Sequence, residues 1–415
     1  GVNFTSKYDG NSIQKSKRPA LNVVIVLDIS GSMSVPFHGG NRSKMDVAKE
    51  SILAVTNQLC DEDYFSVVVF NVKASVVVPL TKWKEMDQID LAKRIQKLKP
   101  GGRTLLSSGL ERANAILRDA PEGDDRISRI CFMTDMEAQE STDEASFTTS
   151  VKEYSRHSIY TTIIGVGMDL QRNTVVECSR TPGCNYCNVL SDDDFRHLMN
   201  SEFAYLVTPI AFNVSVELAG GDWKMTRGFG SPEISDVPLH SVRFSSIFPS
   251  STCSTDSGLR AGCYVFKLEP KDGKVDSLDP VSIKVSWEDS LGICHSTEDK
   301  IPFNETAFSS QEEAEAPNPN TIGLRTAVLL MRYTDFTQNY IKQFNEYVTH
   351  LKNEQPSKRA KTSEENSTDP TKPVGLSEFM DFYLHQKELL SDNSLQGEVD
   401  VLTKLQEEQN LLDLL

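Results

Sequence analysis

The sequence predicts an α/β fold in which a doubly wound, mostly parallel sheet is followed by an all-β sandwich-like domain and C-terminal helices. Three observations predict it. Continuous apolar runs alternate with helical segments up to residue 206, alternating strands follow up to residue 305, and helical periodicity returns after residue 320. Alternating β and α elements favour a parallel sheet, because parallel strands need a crossover connection that is usually a helix.

The predicted strands of the sheet are continuous apolar runs, which are typical of strands buried on both faces. Rich in Val and Ile, they are Leu21–Ile29, Tyr64–Asn71, Arg129–Thr134 and Ser158–Val166. The β-branched stretch Ala74–Leu80 follows the second of these runs after a few residues. We therefore expect it to form a hairpin with that run and to lie antiparallel at the edge of the sheet.

Helices are predicted between these strands. Ser43–Cys60 and Leu105–Leu117 carry apolar residues at helical spacing, and Cys60 is expected to lie in the core. Ser191-Asp-Asp-Asp194 is typical of a helix N-terminus, which predicts a helix from there to about Tyr205. These elements define a first domain at residues 21–206, after an N-terminal extension at residues 1–20.

The sequence changes character after the first domain. Ala211–Leu218, Cys263–Leu268 and Val281–Trp287 alternate apolar and polar residues, with turn signals between them. Such alternation predicts antiparallel strands with one face buried. The region therefore forms, by this prediction, a β-sandwich-like domain at residues 207–305.

The remainder of the chain is predicted to be helical with two polar connections. An acidic linker occupies residues 306–320 and a polar stretch, expected to be disordered, occupies residues 353–375. A helix at 321–352 lies between them, and amphipathic helices are expected at 376–415. These terminal helices are candidates for assembly with a partner.

The composition of the 415 residues is that of a globular protein, with 38% hydrophobic and 25% charged residues. A formal net charge of −16 argues against nucleic acid as the main partner, because most of the surface would repel a polyanion. No apolar run approaches the roughly 18 residues that a membrane-spanning helix needs, so none is predicted.

The eight cysteines bear on the compartment of the protein. Cys131, like Cys60, is expected in the core, and the other six lie in loops or at strand edges. Those six predict three disulfides and hence an oxidising compartment. They are Cys178, Cys184, Cys187, Cys253, Cys263 and Cys294. The alternatives are free thiols, or a zinc site that combines Cys184-x-x-Cys187 with Cys178 and His197.

These cysteines predict a secreted, extracellular protein, with a cytoplasmic location as the alternative. The chain begins at Gly1 without Met, which fits either a mature secreted form or a residue left over from cloning. Sequons for N-glycosylation, expected of a glycoprotein, begin at Asn3, Asn41, Asn213, Asn304 and Asn366. Their number is only slightly above the chance expectation, so they add little to the prediction.

Oxygen-bearing side chains follow three predicted elements that end at the same edge of the sheet. Asp28-Ile-Ser30-Gly-Ser32-Met33 ends the first strand, and Met133-Thr134-Asp135 ends another. Pro100-Gly-Gly-Arg-Thr104 is a turn that presents a hydroxyl just before a helix. Because doubly wound sheets bind ligands at the carboxyl ends of their strands, these oxygens predict a site for a hard cation.

In this order and spacing, the three motifs resemble a von Willebrand factor A (VWA) domain with its metal-ion-dependent adhesion site. The resemblance covers about Leu21–Leu206 and implies a Rossmann-like fold. The Ser32-Met33 ending is similar to the branch found in inter-alpha-trypsin inhibitor heavy chains, channel-associated VWA proteins and many microbial VWA proteins. One departure is Met136, which stands where many members have Gly after the strand-end Asp.

The resemblance implies a role for each of these oxygens. Ser30 and Ser32 would bind the metal directly, Thr104 directly or through water, and Asp28 and Asp135 mostly through waters. One position would stay open for a carboxylate of a partner. Because both protein carboxylates are held back, the ion would keep enough positive charge to attract an anionic ligand.

Two loops are expected to form the rim of this site, around residues 34–41 and 137–144. Phe37 and His38 in the first loop are candidates for ligand contact, or for covering the neighbouring helix. Met136 and Glu137 are rim candidates in the second loop. The acidic residues of the following helix, Asp46 among them, are expected to form a solvated face.

The sequence therefore predicts a module for adhesion or assembly, in which Mg²⁺, Mn²⁺ or Ca²⁺ captures an acidic side chain of a protein partner. The alternative is a structural matrix or complex subunit that does not use its metal for ligand capture. A metal-dependent hydrolase is a third reading, for which the sequence offers no convincing general base.

Other enzyme classes lack their motifs. The chain has no Gly-x-Ser-x-Gly elbow, no phosphate-binding loop of the Walker type and no His-Glu-x-x-His. Gly165-Val-Gly167 follows a predicted strand as a dinucleotide-binding loop would, but Leu170 stands in place of the third glycine. We interpret it as the turn that ends a strand, and we predict that the protein is not an enzyme.

Overall fold

The structure is a computed structural model in which two compact units are distinguished. It describes residues 6–15, 18–37, 41–123, 126–135, 141–167, 172–189, 191–219, 221–230, 241–252, 259–260, 264–271, 280–301, 322–353, 373–392 and 395–413. The larger unit lies within residues 2–262 and 267–302, and the smaller within residues 263–266 and 303–415.

A six-stranded sheet forms the centre of the larger unit. Its strands are β1 (Ala20–Asp28), β2 (Tyr64–Phe70), β3 (Ala74–Lys82), β4 (Arg126–Thr134), β5 (Ile159–Val166) and β6 (Asn185–Val189). Their order is β3-β2-β1-β4-β5-β6, and all neighbours are parallel except β3, which pairs antiparallel with β2. The predicted doubly wound, mostly parallel sheet with an antiparallel edge is confirmed.

Helices cover both faces of this sheet. They are α2 (Lys44–Val55), α3 (Gln88–Gln96), α4 (Leu106–Arg118), α5 (Ser141–Arg156), α6 (Arg172–Ser179), α7 (Asp192–His197) and α8 (Phe203–Val207), while the short helix α1 (Ser12–Lys15) precedes β1. In β1, Val23 lies in the core cluster that contains Ile52 of α2, whereas Val24 lies in the cluster that contains Leu110 of α4. Successive residues of the strand therefore face opposite layers, which is why the run is apolar without interruption.

Two helices of the structure differ in detail from the sequence prediction. The α-helix predicted over Ser43–Cys60 ends at Val55 and continues only as a 3₁₀ turn to Gln58. The expectation that Cys60 lies in the core is wrong, because Cys60 lies beyond the helix and is exposed. The helix predicted after Ser191 contains a π-helical turn, Leu198–Glu202, between α7 and α8.

Antiparallel sheets follow the α/β part. The strands are β7 (Ala211–Leu218), β8 (Trp223–Phe229), β9 (Ser241–Ile247), β10 (Ser251–Thr252), β11 (Leu259–Arg260), β12 (Val265–Pro270), β13 (Val281–Glu288) and β14 (Cys294–Ile301). Four of them form one sheet in the order β14-β13-β7-β9. Phe212 and Val214 of β7 are buried and Asn213 between them is exposed, as the alternation of the sequence predicts, but Ser215, expected on the exposed face, is buried as well.

The smaller unit contains three helices with a core of their own. They are α9 (Ile322–Asn353), α10 (Leu376–Leu390) and α11 (Gln396–Asp413). Leu329 and Tyr340 of α9, Tyr383 of α10 and Leu402 of α11 are buried together. The predicted C-terminal helices are confirmed, whereas the predicted linkers fall mostly outside the described residues. Within the described residues, no helix has both the length and the hydropathy that a membrane span requires.

The prediction of three disulfides is wrong for the described cysteines. Cys178, Cys184, Cys187 and Cys294 are free thiols, and Cys253 and Cys263 lie outside the described residues. Cys178 and Cys184 belong to one core cluster, whereas Cys187 packs against the other, so burial explains their presence. Burial also raises the pKa of the Cys178 and Cys187 thiols well above the ordinary value, which makes them unreactive.

The zinc alternative for these cysteines is also contradicted. Cys184 and Cys187 pack into cores on opposite faces of the sheet, so their sulfur atoms are directed apart. His197 is exposed, with Nε2 3.2 Å from Glu202 Oε1. No cluster of three His, Cys, Asp or Glu side chains that could hold a metal occurs in the part of the chain that the structure describes.

Candidate metal centre

Asp28 is the last residue of β1 and lies beside the last residue of β4. Both strands are parallel, with Leu27 paired with Met133, so Asp28 and Thr134 end their strands together. The Thr134 hydroxyl donates to Asp28 Oδ2 at 2.7 Å, and the Ser30 backbone N–H donates to Asp28 Oδ1 at 2.7 Å. Asp28 is fully buried, so these two bonds fix its carboxylate within the edge of the sheet.

Ser30, Ser32 and Asp135 form a continuous line of oxygen atoms beside Asp28. Ser30 Oγ lies 3.0 Å from Ser32 Oγ, and the Ser32 hydroxyl donates to Asp135 Oδ1 at 3.1 Å. Ser30 and Asp135 are buried, and Ser32 is half-buried at the start of a 3₁₀ turn. Four of the five predicted ligands therefore converge at the carboxyl ends of β1 and β4.

The loop that carries Thr104 is tied to the same turn by backbone hydrogen bonds. Gly31 N–H donates to Gly102 O at 3.0 Å, and Gly101 N–H donates to Ile29 O at 2.7 Å. Thr104 itself is buried, two residues before α4 begins. The loop is thereby held in register with the Ser30–Ser32 turn, which brings the fifth predicted ligand to this edge.

Asn71, which the sequence reasoning missed, supports this loop. Its side-chain Nδ2 donates to Gly101 O at 2.9 Å, and its backbone carbonyl accepts a hydrogen bond from the Leu105 N–H at 2.9 Å. Gly102 has φ +89, and a Cβ there would lie 3.0 Å from Asn71 Nδ2. Gly102 is therefore required both by its backbone conformation and by the close approach of Asn71.

Asp143, also missed, holds the helix that follows Thr104. Leu105, the N-cap of α4, has no side-chain capping bond of its own. Asp143 supplies it from α5, accepting the Leu106 N–H on Oδ2 at 2.6 Å and the Ser107 N–H on Oδ1 at 3.1 Å. A buried carboxylate at the N-terminus of α4 satisfies its free N–H groups and its dipole.

The two buried carboxylates of the site are short of positive charge. Burial, with a smaller contribution from the charge of Asp135, raises the pKa of Asp28 from 3.8 to about 6, although hydrogen bonds from Thr134 and Ser30 lower it. Among the described residues, Asp135 has one cationic contact, from Lys44 Nζ to Oδ2 at 3.1 Å. Hydroxyl and carboxylate oxygens are the ligands that Mg²⁺, Mn²⁺ and Ca²⁺ prefer, so this set fits such a cation.

The predicted rim is only partly within the described residues. Phe37 is 5% exposed and lies in the core beside Met33, so it covers the neighbouring helix and is not available for ligand contact. His38, Met136 and Glu137 lie outside the described residues.

Comparisons with known proteins agree with this fold. The family model for the von Willebrand factor type A domain matches residues 23–137. An uncharacterised protein of Synechocystis sp. is 31% identical over 122 residues, 29% of this chain and 26% of its own length. Inter-alpha-trypsin inhibitor heavy chain H1 of Sus scrofa is 25% identical over 268 residues, 60% of this chain and 28% of its own length.

A solved structure is similar over more of the chain. A von Willebrand factor type A protein from Catenulispora acidiphila matches with a TM-score of 0.51 and 15% identity, covering 80% of this chain and 76% of that chain. At this identity the likeness shows the fold alone. The chain therefore contains a VWA domain, a class of domain that generally serves interactions between proteins. It spans only about a quarter of the length of the two curated relatives.

Proposed function

We propose that the VWA domain binds a divalent cation, Mg²⁺, Mn²⁺ or Ca²⁺, and through it an acidic side chain of a protein partner. The observation that carries the proposal is the line of oxygens from Ser30 through Ser32 to Asp135, with steps of 3.0 and 3.1 Å. Asp28 and the loop of Thr104 are fixed at the same edge.

In this proposal Ser30 and Ser32 hold the cation directly, while Thr104 holds it directly or through water. Asp28 and Asp135 act mainly through waters, because each already accepts hydrogen bonds from its neighbours. A bound divalent cation would supply the positive charge that attracts a carboxylate. The protein's own contribution is to fix the hydroxyls at the sheet edge before the partner arrives.

The surface around this edge offers apolar contacts as well. Val35, which follows the Ser30–Ser32 turn, is 53% exposed, and Val72, in the β2–β3 turn beside Asn71, is 50% exposed. Both turns lie at the carboxyl ends of the parallel strands. We therefore propose that the bound acidic side chain is flanked by apolar residues of the partner.

A peptide array tests this function. Peptides that bind in Mg²⁺ are compared with copies in which single Asp or Glu residues are replaced by Asn or Gln. Binding should require Mg²⁺ and one peptide carboxylate, and it should be lost in Asp28→Ala. The matched control is Asp46→Ala, an exposed acid on α2, which should bind as the wild type does. Binding that survives EDTA or Asp28→Ala would overturn the proposal.

The second candidate function is that of a matrix or complex subunit that does not use the metal for capture. The observation that favours it is the turn between β13 and β14, where Leu291 is 65% and Ile293 53% exposed. Asp289 Oδ1 accepts the N–H groups of both, at 2.9 and 3.0 Å, so the apolar tip is held in place beside the edge strand β14.

Light scattering after size exclusion separates the two functions. A subunit that assembles through this tip should form oligomers in EDTA, and the Leu291→Ser variant should be monomeric. A metal-dependent binding module should instead remain of one size in EDTA and in Mg²⁺ until an acidic partner is added.

A further inference from the structure

Lys44 is buried at a position that is unfavourable for a cation. It is the first residue of α2, and only 6% of it is exposed. Burial of an ammonium group is costly, and a positive charge at a helix N-terminus opposes the helix dipole. The residue must therefore gain from a specific interaction, and its Nζ donates to Asp135 Oδ2 at 3.1 Å.

The end of β5 leaves room for this ammonium group. Gly167 has φ +107, and a Cβ there would lie 3.2 Å from Lys44 Cε and 3.3 Å from Nζ. Gly167 N–H donates to Val189 O at 2.9 Å, which holds the residue against the end of β6. Three segments remote in sequence thus meet at one point: α2 supplies the cation, β4 leads to its carboxylate, and the glycine after β5 leaves the space.

The two oxygens of Asp135 have different partners. Oδ1 accepts the Ser32 hydroxyl at 3.1 Å, on the side of the proposed metal ligands, while Oδ2 is held by Lys44. The site therefore combines two carboxylates, Asp28 and Asp135, with one internal ammonium group. Within the described residues, these groups carry one more negative charge than positive.

We propose that Lys44 is an internal counter-charge that lowers the affinity of this site for free divalent cations and makes cation and acidic partner bind cooperatively. The inference rests on the proposed function. With Lys44 present, a divalent cation leaves the site with a net positive charge that a partner's carboxylate neutralises. Without Lys44, the two carboxylates neutralise the cation by themselves, so the cation binds more tightly and the carboxylate less.

Mn²⁺ binding measured by electron paramagnetic resonance, with no partner present, tests this role. Lys44→Met removes the charge at nearly constant length and should bind Mn²⁺ about tenfold or more tightly than wild type. Lys44→Arg keeps the charge and should stay within about threefold of wild type. Lys49→Met is the matched control, because Lys49 lies on the same helix but pairs with the exposed Asp46.

Thermal melting separates an electrostatic role from a packing role. Without metal, Lys44→Met should melt below the wild type because Asp135 loses its cationic partner. Saturating Mn²⁺ should then raise its melting temperature by more than it raises that of the wild type. A Lys44 that serves only packing would lower the melting temperature equally with and without Mn²⁺. Lys44→Gln provides the same test if Lys44→Met does not fold.

The outcomes distinguish this inference from the proposed function. If the wild type binds Mn²⁺ and Lys44→Met binds it equally or more weakly, the counter-charge role is overturned while the metal site stands. If neither the wild type nor any Lys44 variant binds Mn²⁺, the proposed function fails and this inference fails with it.

Discussion

The two ends of the central sheet both bury charged groups, but they do so in opposite ways. At the amino ends of β1 and β2, the Asp63 carboxylate accepts hydrogen bonds from Arg18 Nη1 at 3.0 Å and from Arg18 Nη2 at 2.6 Å. It also accepts the N–H groups of Leu21 at 2.8 Å and Cys60 at 2.7 Å. Each oxygen of this carboxylate has two donors, and its charge is matched by one guanidinium.

At the carboxyl ends, Lys44 pairs with Asp135, whereas Asp28 accepts hydrogen bonds from the Thr134 hydroxyl and the Ser30 N–H. Burial raises the pKa of Asp28 to about 6 there. Asp63, a buried carboxylate with a full set of partners, serves the fold, whereas Asp28 and Asp135 lie at the edge where we propose that a cation binds. Substitutions at the two ends should therefore differ in their effects on the free energy of unfolding and on Mg²⁺ binding.

The largest effect on stability is expected at the amino ends. Arg18→Met leaves Asp63 buried without its counter-charge, which should lower the free energy of unfolding by about 3–5 kcal/mol, as measured by urea denaturation. Mg²⁺ affinity should not change. Arg94→Met is the control, because its ion pair with Asp90 is about half exposed and should contribute no more than about 1 kcal/mol. Equal losses in the two variants would contradict the comparison.

Asp28→Asn should have the opposite effect on the metal-free protein. It removes a buried charge while the amide oxygen can still accept the Ser30 N–H, so the free energy of unfolding in EDTA should rise by about 1–3 kcal/mol. Mg²⁺ binding should be lost in the same variant. Urea denaturation in EDTA measures the first effect, and a loss of stability there would show that Asp28 serves the fold.

The same variant tests the pH dependence. Because the pKa of Asp28 is raised from 3.8 to about 6, the folded metal-free state holds a proton that the unfolded state releases. The contribution of Asp28 to stability is therefore greatest at low pH and falls as pH rises from about 4 to about 6. In EDTA, wild type should lose stability relative to Asp28→Asn across this range. If the stabilities of the wild type and Asp28→Asn changed in parallel with pH, the raised pKa of Asp28 would be refuted.

A smaller effect is expected in the loop of Thr104. Gly102→Ala combines a φ of +89 with a Cβ 3.0 Å from Asn71 Nδ2, so it should cost about 1–2 kcal/mol and weaken Mg²⁺ binding. Gly101→Ala is the matched control, since a Cβ at Gly101 has nothing within 4 Å. Chemical denaturation and Mg²⁺ titration measure the stability and the Mg²⁺ affinity of both variants. Equal values for the two variants would contradict the requirement for glycine at position 102.

The smallest effect is expected at the cap of α4. Asp143→Ala removes the acceptor for Leu106 N–H and Ser107 N–H, which should cost about 1 kcal/mol in thermal or urea unfolding. The control is Glu153→Ala, because Glu153 is an exposed acid on α5, the helix that also carries Asp143. This variant should leave the free energy of unfolding nearly unchanged. If Asp143→Ala were also neutral, the capping role would be wrong.

The sheet was predictable because its signal is local. The apolar run that ends at Asp28 is long and continuous, and the alternation around Phe212 has the period of a half-buried strand. The disulfides were mispredicted because spacing does not reveal which face of a strand a side chain occupies. Cys184 and Cys187 lie three residues apart yet pack into cores on opposite faces of the sheet.

The predicted ligands follow motifs read along the chain, whereas their supporting residues do not. Lys44 meets Asp135 across 91 residues, Asp143 meets Leu106 across 37, and Asn71 meets Gly101 across 30. Nothing in the local pattern around Lys44 distinguishes it from a solvated helix residue. Such partners become visible only when the strands are placed side by side.

Calorimetric titration of Mg²⁺ into EDTA-treated protein tests the central claim most directly, namely that the oxygens at the carboxyl ends of β1 and β4 hold a divalent cation. The wild type should bind one ion per chain, and Ser32→Ala, which removes the oxygen between Ser30 and Asp135, should bind none. A wild type that takes up no Mg²⁺ or Mn²⁺, or a Ser32→Ala protein that binds as the wild type does, would contradict the claim.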